Sequence, residues 1–363
     1  MLQSDRRSER QDCLRRRLAE SALDALLVSH PPNIRYLTGF TGSAAMLLVS
    51  AERTVLLTDP RYAVQAPAEV RGLAEVEIEP ANLWERLKIV VAGLRPGVLG
   101  FERDRVTVEG AERLAPVGAL RLAPVSGYVE GLRLTKDASE VAAIRAAAAL
   151  ALEALDELLP TLRPGESERA IAARLEAALR VRGSEWHPFP TIVASGPNSA
   201  LPHARASART LQAGEFLLLD FGVQVDGYCA DLARTVVVGA PADSRQRQVY
   251  DAVRSAEWTA LKGIRAGMSG READALARRS LVDAGLAEAF RHSLGHGLGL
   301  EVHENPRLSP TAEGRLPVGA VVTVEPGVYF EGWGGVRLED DVLLTSEAPE
   351  LLSPGAPELP EVL

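Results

Sequence analysis

Four carboxylates and one imidazole, Asp220, Asp231, His296, Glu325 and Glu339, lie in the segments LLLDFG, ADLART, GHGLGLEVHE, TVEPGVY and VRLEDD. Each segment is apolar and β-prone or glycine-rich, an environment in which an unpaired acid is costly to desolvate. Gathered in one place they would need neutralising, and a pair of divalent metal ions does this most simply. Oxygen donors with a single nitrogen suit Mn²⁺, Co²⁺, Fe²⁺ or Zn²⁺ better than they suit an all-thiolate zinc or all-oxygen calcium site. Four acids are enough to bridge two ions about 3.5–4 Å apart. Such a pair activates water for attack on a carbonyl, so no serine or cysteine nucleophile is required. Ser195 and Gly196 lack the Gly-x-Ser-x-Gly context of a nucleophile elbow.

The spacing indicates the elements that must hold these groups. Residues 215–220 and 230–238 read as two strands joined through Asp226 and Gly227, a strong two-residue hairpin signal. Pairing about that turn sets Asp220 opposite Ala233 and leaves Asp231 on the same face, a diagonal neighbour roughly 7–8 Å away. Residues 321–330 and 335–344, turning at 332–335, set Glu325 nearly opposite Glu339. Two hairpins each offer a pair of acids, a hint of internal duplication. Arg337, two residues before Glu339, shares its face and is expected to orient that carboxylate. Upstream, Asp137 or Ser139 caps an Ala-rich helix running to Leu159, Pro164 and Gly165 end it, and Ser167 opens another to about Gly183. These helices are expected to cover one face of a curved antiparallel sheet whose other face holds the ions.

In combination these segments resemble the metal site of the pita-bread metallopeptidases, family M24, most closely the branch containing aminopeptidase P and prolidase, over about residues 130–345. The resemblance implies that Asp220 chelates one metal ion, that His296 and Glu325 hold the other, and that Asp231 and Glu339 bridge them. It implies substrate contact and stabilisation of the tetrahedral intermediate by His203 and His303, with Glu325 accepting the proton of the attacking water. His292, read as one helical turn before His296, matches a position behind the ligands, and Arg307 matches an arginine that grips a dipeptide carboxylate in prolidases. Residues 33–43 resemble the amino-terminal domain of the same branch. The implied fold is an α/β creatinase-like N-terminal domain followed by an α+β pita-bread catalytic domain with a curved antiparallel sheet.

The implied cofactors are two divalent metal ions, Mn²⁺ first, with Co²⁺ or Zn²⁺ as alternatives. The implied substrates are peptides with proline at the second position, whose N-terminal residue is released. Residues 39–45 lack the Asp and His found there in several bacterial prolidases. The expectation is therefore an Xaa-Pro aminopeptidase of the aminopeptidase P type, with an Xaa-Pro dipeptidase (prolidase) as the alternative. A creatinase-like hydrolase and a non-catalytic peptide-binding module come next, and the presence of all five ligands argues against both. Because the amino-terminal domain in this branch often closes a neighbour's site, a homodimer is expected.

A chain of 363 residues with 46% hydrophobic and 25% charged residues supports a large core in about two domains, placed at 1–126 and 127–363. Strand-like runs at 44–49, 54–58 and 98–101 alternate with helical stretches such as 83–94 in the first, an α/β layer pattern. A net charge of −9 argues against nucleic acid, and no run of 18 apolar residues argues for a membrane span, so neither is an expected partner. The cluster Arg6, Arg7, Arg10 and Arg15 to Arg17 is followed by no apolar stretch or cleavage site of a signal peptide. Leu14, Leu18, Leu23 and Leu26 instead recur at roughly helical spacing and point to a surface amphipathic helix leading into a strand at 25–29. Only Cys13 and Cys229 are present, which points to a reducing cytoplasm, with Cys229 a small packing residue rather than a ligand. His187 is expected to line a pocket at most, and His30 to lie at the surface or a domain interface.

Overall fold

The computed structural model describes residues 6–115 and 120–362. Its first compact unit ends at Arg133 and its second begins at Leu134. In the first, the chain runs α1 (Arg7–Glu20), β1 (Ala25–Val28), α2 (Pro31–Thr38), β2 (Ala45–Ser50), β3 (Thr54–Thr58), α3 (Gln65–Val70), β4 (Glu75–Ile78), α4 (Leu83–Leu94), β5 (Val98–Glu102), α5 (Val108–Leu114), β6 (Arg121–Val125) and α6 (Glu130–Arg133). The strands form one sheet in the order β4-β3-β2-β1-β5-β6, antiparallel across β1–β2–β3 and parallel elsewhere. Every residue of β1 and β3 is buried, as central strands covered on both faces require. Helix α4 begins where the Asn82 side chain accepts from the Trp84 and Glu85 N–H groups, and it buries Leu87, Val90 and Val91 against the sheet. The boundary expected at 126/127 falls instead at 133/134. Arg17 donates to the Tyr128 carbonyl at 3.0 Å and Arg133 to Asn33 Oδ1 at 2.7 Å, which fastens the intervening residues to the first unit.

The second unit opens with α7 (Ala138–Leu158) and α8 (Glu168–Val181), then β7 (Ile192–Ser195), β8 (Phe216–Val225) and β9 (Tyr228–Val238). There follow α9 (Ser244–Gly263), α10 (Gly270–Asp283), β10 (Gly295–Gly297), β11 (Glu304–Leu308), β12 (Val321–Val324), β13 (Gly327–Phe330), β14 (Gly334–Arg337), β15 (Asp340–Leu343), β16 (Glu350–Leu351) and β17 (Glu361–Val362). Asp137 closes a capping box with Glu140 at the start of α7, and Ser167 caps α8. Among the described residues the strands form three ladders, β17-β9-β8-β7, β11-β10-β12-β15-β16 and β13-β14, antiparallel except for β17 with β9.

Strand alternation decides which face each acid takes. Leu217, Leu219 and Phe221 of β8 and Leu232 and Val236 of β9 pack beneath Ala147, Ala151, Leu155, Ile171 and Leu175 of α7 and α8. Asp220 and Asp231, one step out of phase, point to the opposite face. On the other half, Val249, Val253, Ala273 and Ala277 of α9 and α10 join Val322, Val324, Val328 and Val336 in a second core. The helices thus cover one side of the strands and leave the other to the polar groups.

Candidate metal centre

The first hairpin turns at Asp226 and Gly227, both with positive φ (50° and 80°), the conformation a two-residue hairpin loop demands. Asp220 pairs with Ala233, and Asp231 with Gly222, the register read from the sequence. The second hairpin departs from expectation. Val324 pairs with Asp340 and Gly327 with Arg337, but the intervening residues leave the ladder, so the expected continuous strands are two separate pairs. Pro326 has no N–H with which to continue the ladder. Freed from each other, the two acid-bearing residues bond elsewhere. Glu339 N–H donates to the Ala233 carbonyl at 3.0 Å and Glu325 N–H to the Leu294 carbonyl at 2.8 Å. The break therefore stitches Glu339 beside Asp231 and Glu325 beside the strand of His296.

Strand β10, which carries His296, lies between β11 and β12. A Cβ on Gly295 would lie 2.2 Å from the Thr323 carbonyl oxygen, and one on Gly297 2.2 Å from that of Asn305. Only glycine on both sides of the histidine permits that approach. His292 and His296 are not a turn of helix apart, as the sequence reading had it: the segment between them is irregular and enters β10.

His296 Nδ1 lies 3.0 Å from the Gly297 carbonyl, which can only accept, so Nδ1 carries the proton and Nε2 presents a lone pair. That nitrogen lies 3.5 Å from Glu325 Oε1 and 3.8 Å from Asp231 Oδ2. One ligand atom each from Asp231, His296 and Glu339 falls within 4.8 Å of the others, and all three residues are buried. Asp220 and Glu325 line the same cavity, of about 560 Å³. Arg337 pairs with Asp220 Oδ2 and also donates to Tyr329 Oη at 2.8 Å and the Pro202 carbonyl at 3.0 Å. It therefore orients Asp220, not Glu339 as expected from its place in the strand, because the backbone between the two leaves the ladder.

The electrostatics call for a cation. Burial first, then the neighbouring carboxylates, push Asp231 and Glu339 well above the usual carboxylate range. Burial likewise carries Glu325 up to about 8 despite Arg337 nearby. Burial holds His296 down at about 3, so its imidazole is neutral and free to ligate. Asp231 Oδ1 is buried without a hydrogen-bond partner. Four acids, one guanidinium already engaged by Asp220, a neutral imidazole lone pair and an orphaned oxygen make a donor set that fits divalent metal ions.

The remaining sequence-derived residues converge on the same cavity: His203, His292, His303 and Arg307 line it together with Phe189, Pro190 and Ile192. The His303 ring stands edge-on to His296, with centroids 4.4 Å apart. Arg307 pairs across β10–β11 with His296. His292 Nδ1 donates to the Ser293 carbonyl, leaving Nε2 to accept from Tyr329 Oη at 2.9 Å, and burial lowers its pKa to about 4. His187 stacks on Trp186 and is absent from the cavity lining. His30 is buried before α2. Cys229 is buried, its thiol pushed up by burial, in keeping with packing.

Sequence reasoning missed Tyr329, which links Arg337 to His292, and the buried pair Asp340 and Asp341 behind Glu339. Asp340 binds Arg234, which itself holds the Glu339 carbonyl at 2.7 Å, and Asp341 Oδ2 accepts from Asp231 N–H at 3.2 Å. The tandem acids after Glu339 were the available signal, since acids in an apolar strand need partners.

The chain is similar over nearly its whole length to known proteins. Residues 142–346 match Metallopeptidase family M24, and residues 10–135 match the Creatinase/Prolidase N-terminal domain. A Pyrococcus furiosus protein named Xaa-Pro dipeptidase is 32% identical over 354 residues, 97% of this chain and 99% of that one. The solved Xaa-Pro dipeptidase from Bacillus anthracis is 38% identical, with a TM-score of 0.94 over 98% of this chain and 99% of that one. The X-Pro aminopeptidase of Thermotoga maritima is 35% identical, with a TM-score of 0.90 over 97% and 99%. Matched by that family model over more than half its length and by relatives over nearly all of it, the chain belongs to metallopeptidase family M24, its M24 domain preceded by a creatinase/prolidase N-terminal domain.

Proposed function

We propose that the protein is an Xaa-Pro dipeptidase, a prolidase, which cleaves the bond between an N-terminal residue and a following C-terminal proline. This is the reading that sequence analysis ranked second, behind aminopeptidase P. The relatives named Xaa-Pro dipeptidase support it over their full length. The observation that carries it is Arg307, which lines the metal cavity and whose guanidinium has no hydrogen-bond or ion-pair partner among the described residues. A dipeptide places its free carboxylate two bonds from the proline nitrogen, where a planar guanidinium can take it bidentately. The aminopeptidase reading retains one support, the likeness to the Thermotoga X-Pro aminopeptidase.

Asp220, Asp231, His296, Glu325 and Glu339 would hold two divalent ions, Mn²⁺ by preference. When bound, such ions polarise a scissile carbonyl and lower the pKa of water. The chain's own groups do the rest. Glu325, as the carboxylate, accepts the proton of the attacking water and returns it to the leaving proline nitrogen. His203 and His303, facing the cavity from two separate segments, donate to the oxygen that gains charge. Arg337 and Tyr329 hold Asp220 and His292 in place.

Cytoplasmic residence and a homodimer belong to the same reading. Both cysteines are free, and among the described residues no helix is long and apolar enough to cross a membrane. The test is hydrolysis of Xaa-Pro against Xaa-Pro-Xaa after Mn²⁺ loading. Preference for the dipeptide, lost in Arg307→Ala, is expected; equal losses on both substrates would favour the aminopeptidase.

A further inference from the structure

His203 sits at the exposed crest of a loop that leaves β7 at Ser195, passes through the 3-10 turn Gly196–Ala200 and returns at Ser207. One carboxylate holds both ends of it. Glu168, the first residue of α8 and fully buried, accepts from Ser195 N–H and Oγ, each at 2.8 Å, and from Asn198 Nδ2 at 3.0 Å on the outgoing side. On the returning side it accepts from Ser207 N–H at 3.0 Å and Oγ at 2.6 Å. The backbone repeats the clasp, with Glu168 N–H donating to the Arg209 carbonyl at 3.0 Å and Arg169 N–H to that of Ser207 at 3.1 Å.

The crest is tied from the other side. The Pro202 carbonyl, next to His203, accepts from Arg337 Nη1 at 3.0 Å, and Ser199 Oγ accepts from Gly335 N–H at 2.9 Å. A Cβ on Gly335 would lie 2.4 Å from the Ser199 carbonyl oxygen, so the loop backbone lies directly on β14.

We propose that Glu168 is a positioning residue for the reaction: by closing the loop on itself it fixes the reach of His203 over the metal cavity. The inference rests on the catalytic reading of His203. A buried carboxylate without a paired cation is costly to retain unless each lone pair is used, and here both oxygens are filled by donors from two chain segments. A glutamine of the same shape would present an N–H₂ to some of those donors and open one end of the clasp. The loop would then keep its place in the fold while losing the sub-ångström placement that proton donation to a developing oxyanion requires.

A double-mutant cycle tests it on the full-length, Mn²⁺-loaded protein with an Xaa-Pro dipeptide. The variants are Ser207→Ala, which removes one donor and leaves the carboxylate, Glu168→Gln, His203→Ala and the two doubles. Ser207→Ala is expected to lower kcat about tenfold, Glu168→Gln more, with KM and the calorimetric affinity for Mn²⁺ unchanged. In the His203→Ala background the same changes should cost less than about twofold, since the group they position is gone. Additive losses in both backgrounds, or an Mn²⁺ affinity that falls with kcat, would overturn the proposal and leave the catalytic reading of His203 standing. If His203→Ala alone leaves kcat intact, that reading fails and the proposal with it. Should Glu168→Gln not fold, Ser207→Ala decides.

Discussion

The residues gathered at this centre form a donor set that fits divalent ions, and two measurements follow from that. Arg337 takes one oxygen of Asp220 and, through Tyr329, reaches His292. Arg337→Met should therefore cost about 10- to 100-fold in Mn²⁺ affinity or in kcat, the usual toll for removing a group that orients a ligand. Calorimetry and steady-state kinetics on one preparation check it, and an unaltered affinity with unaltered kcat would remove Arg337 from the account. The second concerns pH. Glu325 is raised from the ordinary 4.5 to about 8 by burial, so the folded metal-free chain keeps a proton that the unfolded chain has already released. The folded state binds more protons across that window, and the metal-free fold loses stability as pH climbs from 4.5 to about 8. Ion binding needs the carboxylate and expels the proton, so Mn²⁺ affinity should rise from pH 6 to pH 8 and the rise in Tm on adding Mn²⁺ should be larger at pH 8. A stabilisation independent of pH would show that no protonated carboxyl is displaced.

At the scale of elements, the site depends on strands brought unusually close and on one ladder that breaks at the right place. Gly295→Ala would put a Cβ 2.2 Å from the Thr323 carbonyl oxygen, forcing β10 from β12, whereas a Cβ on Gly93 meets nothing within 4 Å. The first substitution should cost about 1–3 kcal/mol and weaken Mn²⁺ binding, while Gly93→Ala, within α4, should be neutral or slightly stabilising. Thermal unfolding of the two variants side by side checks both. The contrast marks what the chain made legible. The Asp226 and Gly227 turn, the register placing Asp220 opposite Ala233, the capping of α7 at Asp137 and the extent of α4 were all readable, because turn chemistry, capping and period are local. The break between β12 and β13 was not, although Pro326 marked it. Its meaning lies in where Glu325 and Glu339 find other carbonyls, and both partners, Leu294 and Ala233, are distant in sequence. Arg337 was assigned to the wrong carboxylate for the same reason. Tyr329 and the Asp340–Arg234 pair were invisible because only the packed fold brings them behind the ligands.

At the scale of the whole molecule, an amino-terminal α/β unit precedes a unit whose five candidate ligands come from three strands, β8, β9 and β10, and one ladder break. The proposed homodimer is checked by sedimentation of the metal-loaded protein: a single species of twice the chain mass is expected, and a fully active monomer would refute it. The distribution of ligands over both acid-bearing hairpins and β10 also predicts that the centre forms only when the whole catalytic unit is folded, so metal and fold should be lost together on unfolding. The most direct test of the central claim is anomalous diffraction from crystals soaked in Mn²⁺. Two peaks about 3.5–4 Å apart are expected, with Asp231 and Glu339 touching both, Asp220 one, and His296 with Glu325 the other. An empty cavity, or ions held elsewhere while these side chains turn outward, would contradict it.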